Sequence, residues 1–143
     1  MIRLTLLALG ITLFALPTLA QPQGFSCVGA ERLEDDVFSI AFLRGSAVIP
    51  EAARSPLAAA IEAALAEPDR NICILGHAGQ EGGATTSIQL AAQRARTVSN
   101  ALAEHGIGAE RLRAEARSAQ YSPTVRAAEP PSRTVTIVLM PAP

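Results

Sequence analysis

The segment Gly76-His77-Ala78-Gly79-Gln80-Glu81-Gly82, with the helical stretch that follows it, decides the fold. The apolar-rich residues from Asn71 to Leu75 lead into it and predict a short strand. After it, Thr86 stands three residues before Gln89, a spacing that predicts a capping box at a helix start. Apolar residues then recur at three- and four-residue steps, at Ala91, Ala95, Val98 and Leu102. The sequence therefore predicts a strand, a glycine-rich loop and a long helix in direct succession.

Further elements extend this unit on both sides. Residues Val37 to Leu43 alternate between apolar and small or polar side chains, and Arg133 to Leu139 do the same, so both predict strands. A helix is predicted between Pro50 and Pro68, and a weaker strand at Leu112 to Ala116. The resulting order, β-α-β-α-β-β, predicts an α/β two-layer sandwich with a mixed sheet and two helices on one face.

The central segment resembles a known family pattern. That pattern reads G-H-T-D-x-x-G and then N-x-x-L-S-x-x-R-A-x-x-V-x-x-x-L, and it aligns without gaps from Gly76 to Leu102. The stretch Ser132-Arg133-Thr134-Val135-Thr136-Ile137 is similar to the family's closing N-R-R-V-E-I strand. On these residues the chain resembles the OmpA-like (OmpA C-terminal) peptidoglycan-binding domain over roughly residues 37 to 139, and the resemblance implies the same sandwich.

The resemblance also implies a ligand site with a degenerate motif. In the family, the aspartate takes the amino group of diaminopimelate in the wall peptide, and the arginine with neighbouring backbone takes its carboxylate. Here Gly79 replaces the aspartate, Ser87 replaces the asparagine, and Arg94 keeps the arginine. Glu81 could swing its carboxylate toward the vacated position. The candidate ligand-binding residues are His77, Gly79, Glu81, Ser87 and Arg94, and we expect weakened binding.

The residues alone allow two interpretations of Arg94. It lies on the flank of the apolar helix stripe, where it either captures a ligand carboxylate or extends to water and pairs with an internal carboxylate such as Glu81. At the edge of the stripe it should have few packing contacts, so Arg94→Ala is expected to change stability little. Gly79→Asp is expected to place a carboxylate opposite Arg94 and to strengthen binding.

Cys27 and Cys73 are the two cysteines of the chain. Cys73 alternates with Ile72 and Ile74, so its side chain should point away from the helix layer. In an oxidising compartment the segment before the first strand could cross that face and form a Cys27–Cys73 disulfide. Two buried free thiols are the alternative.

The first twenty residues have the features of a signal peptide. Arg3 precedes an apolar run from Leu4 to Ala15, and small residues precede a cleavage site after Ala20. The run is shorter than the roughly 20 residues that cross a bilayer, which argues against the alternative of an uncleaved anchor. We therefore expect a signal peptide at 1–20, an N-terminal extension at 21–36 and the OmpA-like domain at 37–141. No stable membrane span should remain after cleavage.

Composition and spacing disfavour several classes of function. The formal charge is −1 without a basic stripe, so nucleic-acid binding is not expected. Along an extended chain Cys73 and His77 would stand about 13 Å apart, too far for a nucleophile and its base. No metal-ligand spacing surrounds His77 or His105, so neither a metal nor a cofactor is predicted.

The leading hypothesis is a non-enzymatic domain in the periplasm of a Gram-negative cell envelope, near the outer membrane. It would recognise the diaminopimelate-containing stem of peptidoglycan non-covalently. The alternative is a degenerate OmpA-like domain that serves as a protein-interaction or envelope-assembly module, with other envelope proteins as partners. A periplasmic hydrolase of unrecognised type is a third, distant alternative.

Overall fold

The computed structural model describes residues 24–81, 84–118 and 131–143. Its main sheet has the strand order β1 (Val37–Ala41), β6 (Thr134–Leu139), β2 (Ile72–His77) and β5 (Leu112–Arg117). Strands β2 and β5 are parallel, whereas β6 is antiparallel to both of its neighbours. The predicted sandwich is confirmed, and the weaker strand predicted at Leu112 to Ala116 is β5.

Two helices, α1 (Arg54–Ala66) and α2 (Ile88–Glu104), cover one face of this sheet. Period-two alternation selects the side chains that meet them, because every second residue of a strand points to the same face. The resulting core combines Ile40, Ile74 and Ile137 from the sheet with Ala60 and Val98 from the helices. All five are completely buried.

The start of α2 corrects one sequence prediction. Thr86 is not the helix cap, because it is the last residue of a small strand, β4 (Ala84–Thr86), which pairs with β3 (Gly79–Glu81). Ser87 caps the helix instead, and its Oγ accepts a hydrogen bond of 3.1 Å from the amide of Leu90. The helix ends at Glu104, and Gly106 has a left-handed conformation just beyond it.

The other face of the sheet is covered by residues 24–33, which we call the strap. Cys27 of the strap forms a disulfide with Cys73 of β2, with an S–S distance of 1.99 Å. Around it, Phe25, Ala30 and Leu33 pack against Leu75, Val138 and further apolar side chains of the outer face. The structure thus confirms the predicted disulfide and the outward direction of Cys73.

Some sequence predictions fall outside the described residues. These are the signal peptide at 1–20 and most of the segment that links β5 to β6. Within the part of the chain that the structure describes, no helix is long and apolar enough to cross a membrane.

Candidate functional site

Gly76 brings the predicted ligand loop against α2. A Cβ atom on Gly76 would lie 2.1 Å from the carbonyl oxygen of Ala91, a distance that no side chain allows. Only glycine therefore lets β2 approach the helix backbone this closely. The contact fixes the end of β2, and the loop that follows it, beside the first turns of α2.

The loop itself folds back as a short hairpin. In the β3–β4 ladder Gly79 faces Thr86 and Gln80 faces Thr85, so the segment returns directly to the start of α2. Gly79 has φ 143°, in the region that L-amino acids rarely adopt. Gly79 therefore differs from the family's aspartate in backbone conformation as well as in side chain, and this conformation disfavours aspartate.

Arg94 is buried at this end of the molecule, with only 1% of its surface exposed. Its Nε donates to the carbonyl of Ser46 at 2.7 Å, Nη1 to that of Ser132 at 3.1 Å, and Nη2 to that of Leu43 at 3.0 Å. Nη1 also lies 3.5 Å from the hydroxyl oxygen of Thr86. These bonds join the loop after β1, the residues before β6 and the end of β4 to one guanidinium group.

The burial of Arg94 overturns the expectation that it lies at the edge of the helix with few contacts. Its guanidinium carbon is 5.3 Å from the centre of the Phe42 ring, within range of a cation–π contact. The helical pattern predicts Arg94 on the flank of the apolar stripe because the pattern depends on α2 alone. The loops that contain residues 43–46 and 132 fold over that flank and bury Arg94. Arg94 therefore has a structural role, and its role toward a ligand stays a prediction.

His77 lies on the opposite face of the sheet from Arg94. Since Gly76 faces α2, the next residue of the strand faces outward, and His77 Nε2 is 2.9 Å from Thr136 Oγ1 in β6. This contact links residues 59 positions apart, so His77 joins β2 to β6 rather than forming a bond within the loop. Burial, and secondly the charge of Arg117, lower the pKa of His77 to about 4.

The structure thus brings together only part of the predicted site. Gly79 pairs with Thr86, whose hydroxyl adjoins the guanidinium of Arg94, and Ser87 follows at the helix start. The side chain of Glu81 is not among those described. The carbonyls that bind Arg94 could not be predicted from the sequence, because every residue has a backbone carbonyl whatever its side chain.

The described residues show the state of Cys73 and the grouping of side chains that could bind a metal. Cys73 is bonded to Cys27 and is not a free thiol. Across residues 24–81, 84–118 and 131–143, no group of three or more His, Cys, Asp or Glu side chains could hold a metal ion.

Comparisons with known proteins agree with the observed fold. The model of the OmpA family matches residues 41–134. No curated protein sequence matches the chain. Among solved structures, the peptidoglycan-associated lipoprotein from Burkholderia pseudomallei is similar with a TM-score of 0.58 and 21% identity, covering 72% of this chain and 90% of that one.

Two further structures illustrate the range of similar proteins. The cell wall anchor of the T6SS from Pseudomonas aeruginosa is 25% identical, with a TM-score of 0.56, covering 73% of this chain and 80% of that one. The OmpA-like domain of FopA1 from Francisella tularensis is 16% identical, with a TM-score of 0.58, covering 78% and 79%.

Proposed function

This chain belongs to the OmpA family, and on that premise we propose that it is a non-enzymatic domain of the cell envelope that associates non-covalently with peptidoglycan. The placement in the periplasm of a Gram-negative cell belongs to the same proposal. Similar structures include a peptidoglycan-associated lipoprotein and a cell wall anchor, which supports the choice of ligand. The family consists of binding and structural modules, which supports the absence of catalysis.

One observation carries the proposal: the matched loop and Arg94 lie at the same end of the molecule. The contact between Arg94 Nη1 and Thr86 Oγ1 is 3.5 Å, at the outer limit of a hydrogen bond and longer than the three bonds to carbonyls, so it is the one that a ligand carboxylate would replace once Thr86 moves aside. The three carbonyl bonds hold the guanidinium plane in place before any ligand arrives. A ligand carboxylate would therefore bind to a group that loses little entropy.

The amino half of the ligand lacks its usual partner at Gly79. A charge-assisted hydrogen bond contributes roughly 1.5 to 3 kcal/mol, so its loss weakens binding about tenfold to a hundredfold. We therefore propose that the site binds the diaminopimelate carboxylate weakly and does not bind the carboxylate and the amino group together.

The test is co-sedimentation of the folded, oxidised protein of residues 21–143 with purified sacculi. Free diaminopimelate should reduce this binding. Binding should also be weaker to sacculi whose stem peptides contain lysine, because lysine lacks the second carboxylate. Competition is preferred to removal of Arg94, because that substitution also removes structural bonds. A folded protein that stays in the supernatant with diaminopimelate-containing sacculi would refute wall binding.

The interaction-module alternative is favoured by a different observation. Arg94 is already engaged by backbone carbonyls, and Leu43 and Val48 beside those carbonyls expose 66% and 73% of their surface. An arginine that orders a loop with exposed aliphatic side chains suits contact with a protein. The same sedimentation assay decides between the two functions.

Gly79→Asp probes how far the site has been remodelled. The added carboxylate would gain roughly 1.5 to 3 kcal/mol in binding, while aspartate at a φ near 143° costs about 1 to 3 kcal/mol. The strain acts on folding rather than on binding, but a loop that relaxes it would move the new carboxylate, so we expect a smaller gain than the sequence suggested.

A further inference from the structure

Strand β5 holds the strap through a row of charged side chains. Arg113, Glu115 and Arg117 alternate on the outer face of the sheet, and the Glu115 carboxylate lies 2.5 Å from Arg113 Nε and 2.6 Å from Arg117 Nη1. Each arginine also donates to a carbonyl of the strap, Arg113 to Phe25 at 2.8 Å and Arg117 to Cys27 at 3.0 Å. The strap is therefore bound to β5 by these two bonds as well as to β2 by the disulfide.

The two arginines differ in what else they contact. Arg113 is the register partner of Cys73, at the disulfide and away from the ligand loop. Arg117 is the last residue of β5 and the register partner of His77. Its own carbonyl accepts a hydrogen bond of 2.9 Å from the amide of Ala78, the second residue after Gly76 in the ligand loop. Arg117 alone of the pair therefore links the strap to the loop.

The contact between the strap and Arg117 leaves room for movement. A cleft of about 270 Å³ is lined by Val28, Gly29, Glu31 and Arg32 of the strap and by Arg117. The side chain of Arg117 is only 19% exposed, so it lies between the strap and the sheet rather than in open solvent. A shift of the strap would therefore change the position of Arg117 before it changed the central strands.

We propose that Arg117 is a positioning residue that makes the order of the ligand loop at Ala78 depend on the strap. Release of the strap, or its capture by another molecule, would loosen the loop and lower the affinity for peptidoglycan. The functional consequence rests on the proposed wall binding, but the coupling itself does not. Because coupling is reciprocal, a ligand in the loop would also hold the strap more firmly.

A double-mutant cycle on the protein of residues 21–143 tests this coupling. The strap is released by Cys27→Ala together with Cys73→Ala, in backgrounds with wild-type, Arg117→Gln or Arg113→Gln sequence. Amide hydrogen exchange of Ala78 is measured relative to that of Ile137 in the central strand β6. We expect release to raise the relative exchange of Ala78 roughly tenfold, the equivalent of one hydrogen bond, in the wild-type and Arg113→Gln backgrounds. In the Arg117→Gln background release should add little, because the link is already broken.

The matched arginine variants keep the test decisive even where the cysteine variant does not fold. With the disulfide intact, Arg117→Gln should raise the relative exchange of Ala78, and Arg113→Gln should leave it unchanged. Equal effects of the two variants, or no effect at Ala78, would overturn the coupling. Where the wild type binds sacculi, Arg117→Gln should also weaken binding more than Arg113→Gln does, and equal binding would overturn the regulatory role. A wild type that binds no sacculi refutes the proposed function and leaves the exchange result to decide the coupling.

Discussion

At the scale of single residues, the chain uses arginine to satisfy backbone carbonyls that no strand or helix satisfies. Arg94 does so at the ligand end, and at the other end Arg111 donates to the carbonyls of Ala64 and Glu67 at the end of α1. Arg70 donates to the carbonyls of Leu139, the last residue of β6, and of Met140, which follows it. A guanidinium group offers five donors in a fixed plane, so one side chain can join segments distant in sequence.

Arg94→Ala should therefore destabilise the protein strongly. The change removes this donor from the buried carbonyl of Ser132 and from the part-buried carbonyl of Ser46, and losing such a bond costs roughly 1 to 3 kcal/mol for each carbonyl. We expect a loss of at least about 3 kcal/mol in the free energy of unfolding, measured with urea. Arg96→Ala is the matched control, because Arg96 is exposed on the same helix and should change stability by no more than about 0.5 kcal/mol. Equal losses in the two variants would contradict the structural role of Arg94 and would support a position at the helix edge with few contacts.

His77 should make the protein sensitive to acid. Its pKa is lowered from 6.5 to about 4 by burial and by Arg117, so the folded state disfavours protonation. The contribution to stability is complete above pH 6.5 and is lost as the pH falls through 4, by up to about 3 kcal/mol. Unfolding free energies measured from pH 7 to pH 4 should fall less steeply for His77→Gln than for the wild type. Parallel profiles would exclude His77 as the cause, and His105→Gln, at the exposed end of α2, should keep the wild-type slope.

At the scale of elements, the sequence predicted what depends on local periodicity. Alternation placed β1 and β6, and helical spacing placed α2, because each pattern is repeated within one segment. The hairpin of β3 and β4 was missed, since strands of three residues are too short to show alternation. The cap at Ser87 was missed because Thr86 fits the same local rule one residue earlier. The partners of Arg94 depend on how separate loops fold over α2, which no local pattern records.

The close approach of β2 to α2 makes Gly76 sensitive to substitution. Gly76→Ala would place a methyl group 2.1 Å from the Ala91 carbonyl oxygen, so strand and helix must separate. Overpacking of this kind costs typically 1 to 3 kcal/mol, and we expect about 3 kcal/mol here because the clash is with backbone. Urea unfolding measures the loss. Gly108→Ala is the control, since its methyl group would meet only the movable carboxylate of Glu110. A Gly76→Ala protein as stable as the control would show that the approach is less tight than described.

At the scale of the whole molecule, the fold has two apolar layers that are stabilised in different ways. The layer between the sheet and the helices is formed by packed aliphatic side chains such as Ile74, Val98 and Ile137. The outer layer is thin, because within the described part of the chain the strap is the segment that covers Leu75 and Val138 on that face. A ten-residue segment without a long helix or strand buries little area, so a covalent bond is needed to keep it in place.

The disulfide should therefore supply a large part of the stability. Cys27 and Cys73 are 46 positions apart, and closing a loop of that length lowers the entropy of the unfolded chain by an equivalent of about 4 kcal/mol. Small domains are stable by only about 5 to 15 kcal/mol, so the Cys27→Ala, Cys73→Ala protein should unfold at much lower urea concentration than the oxidised wild type. Wild type that is unfolded, reduced and refolded with a thiol reductant kept present should show a similar loss, which separates the bond from the effect of the substitutions. Because the strap covers only the outer face, the variant should lose exchange protection at Leu75 and Val138 before Val98, and a uniform loss would mean that the two layers unfold as one.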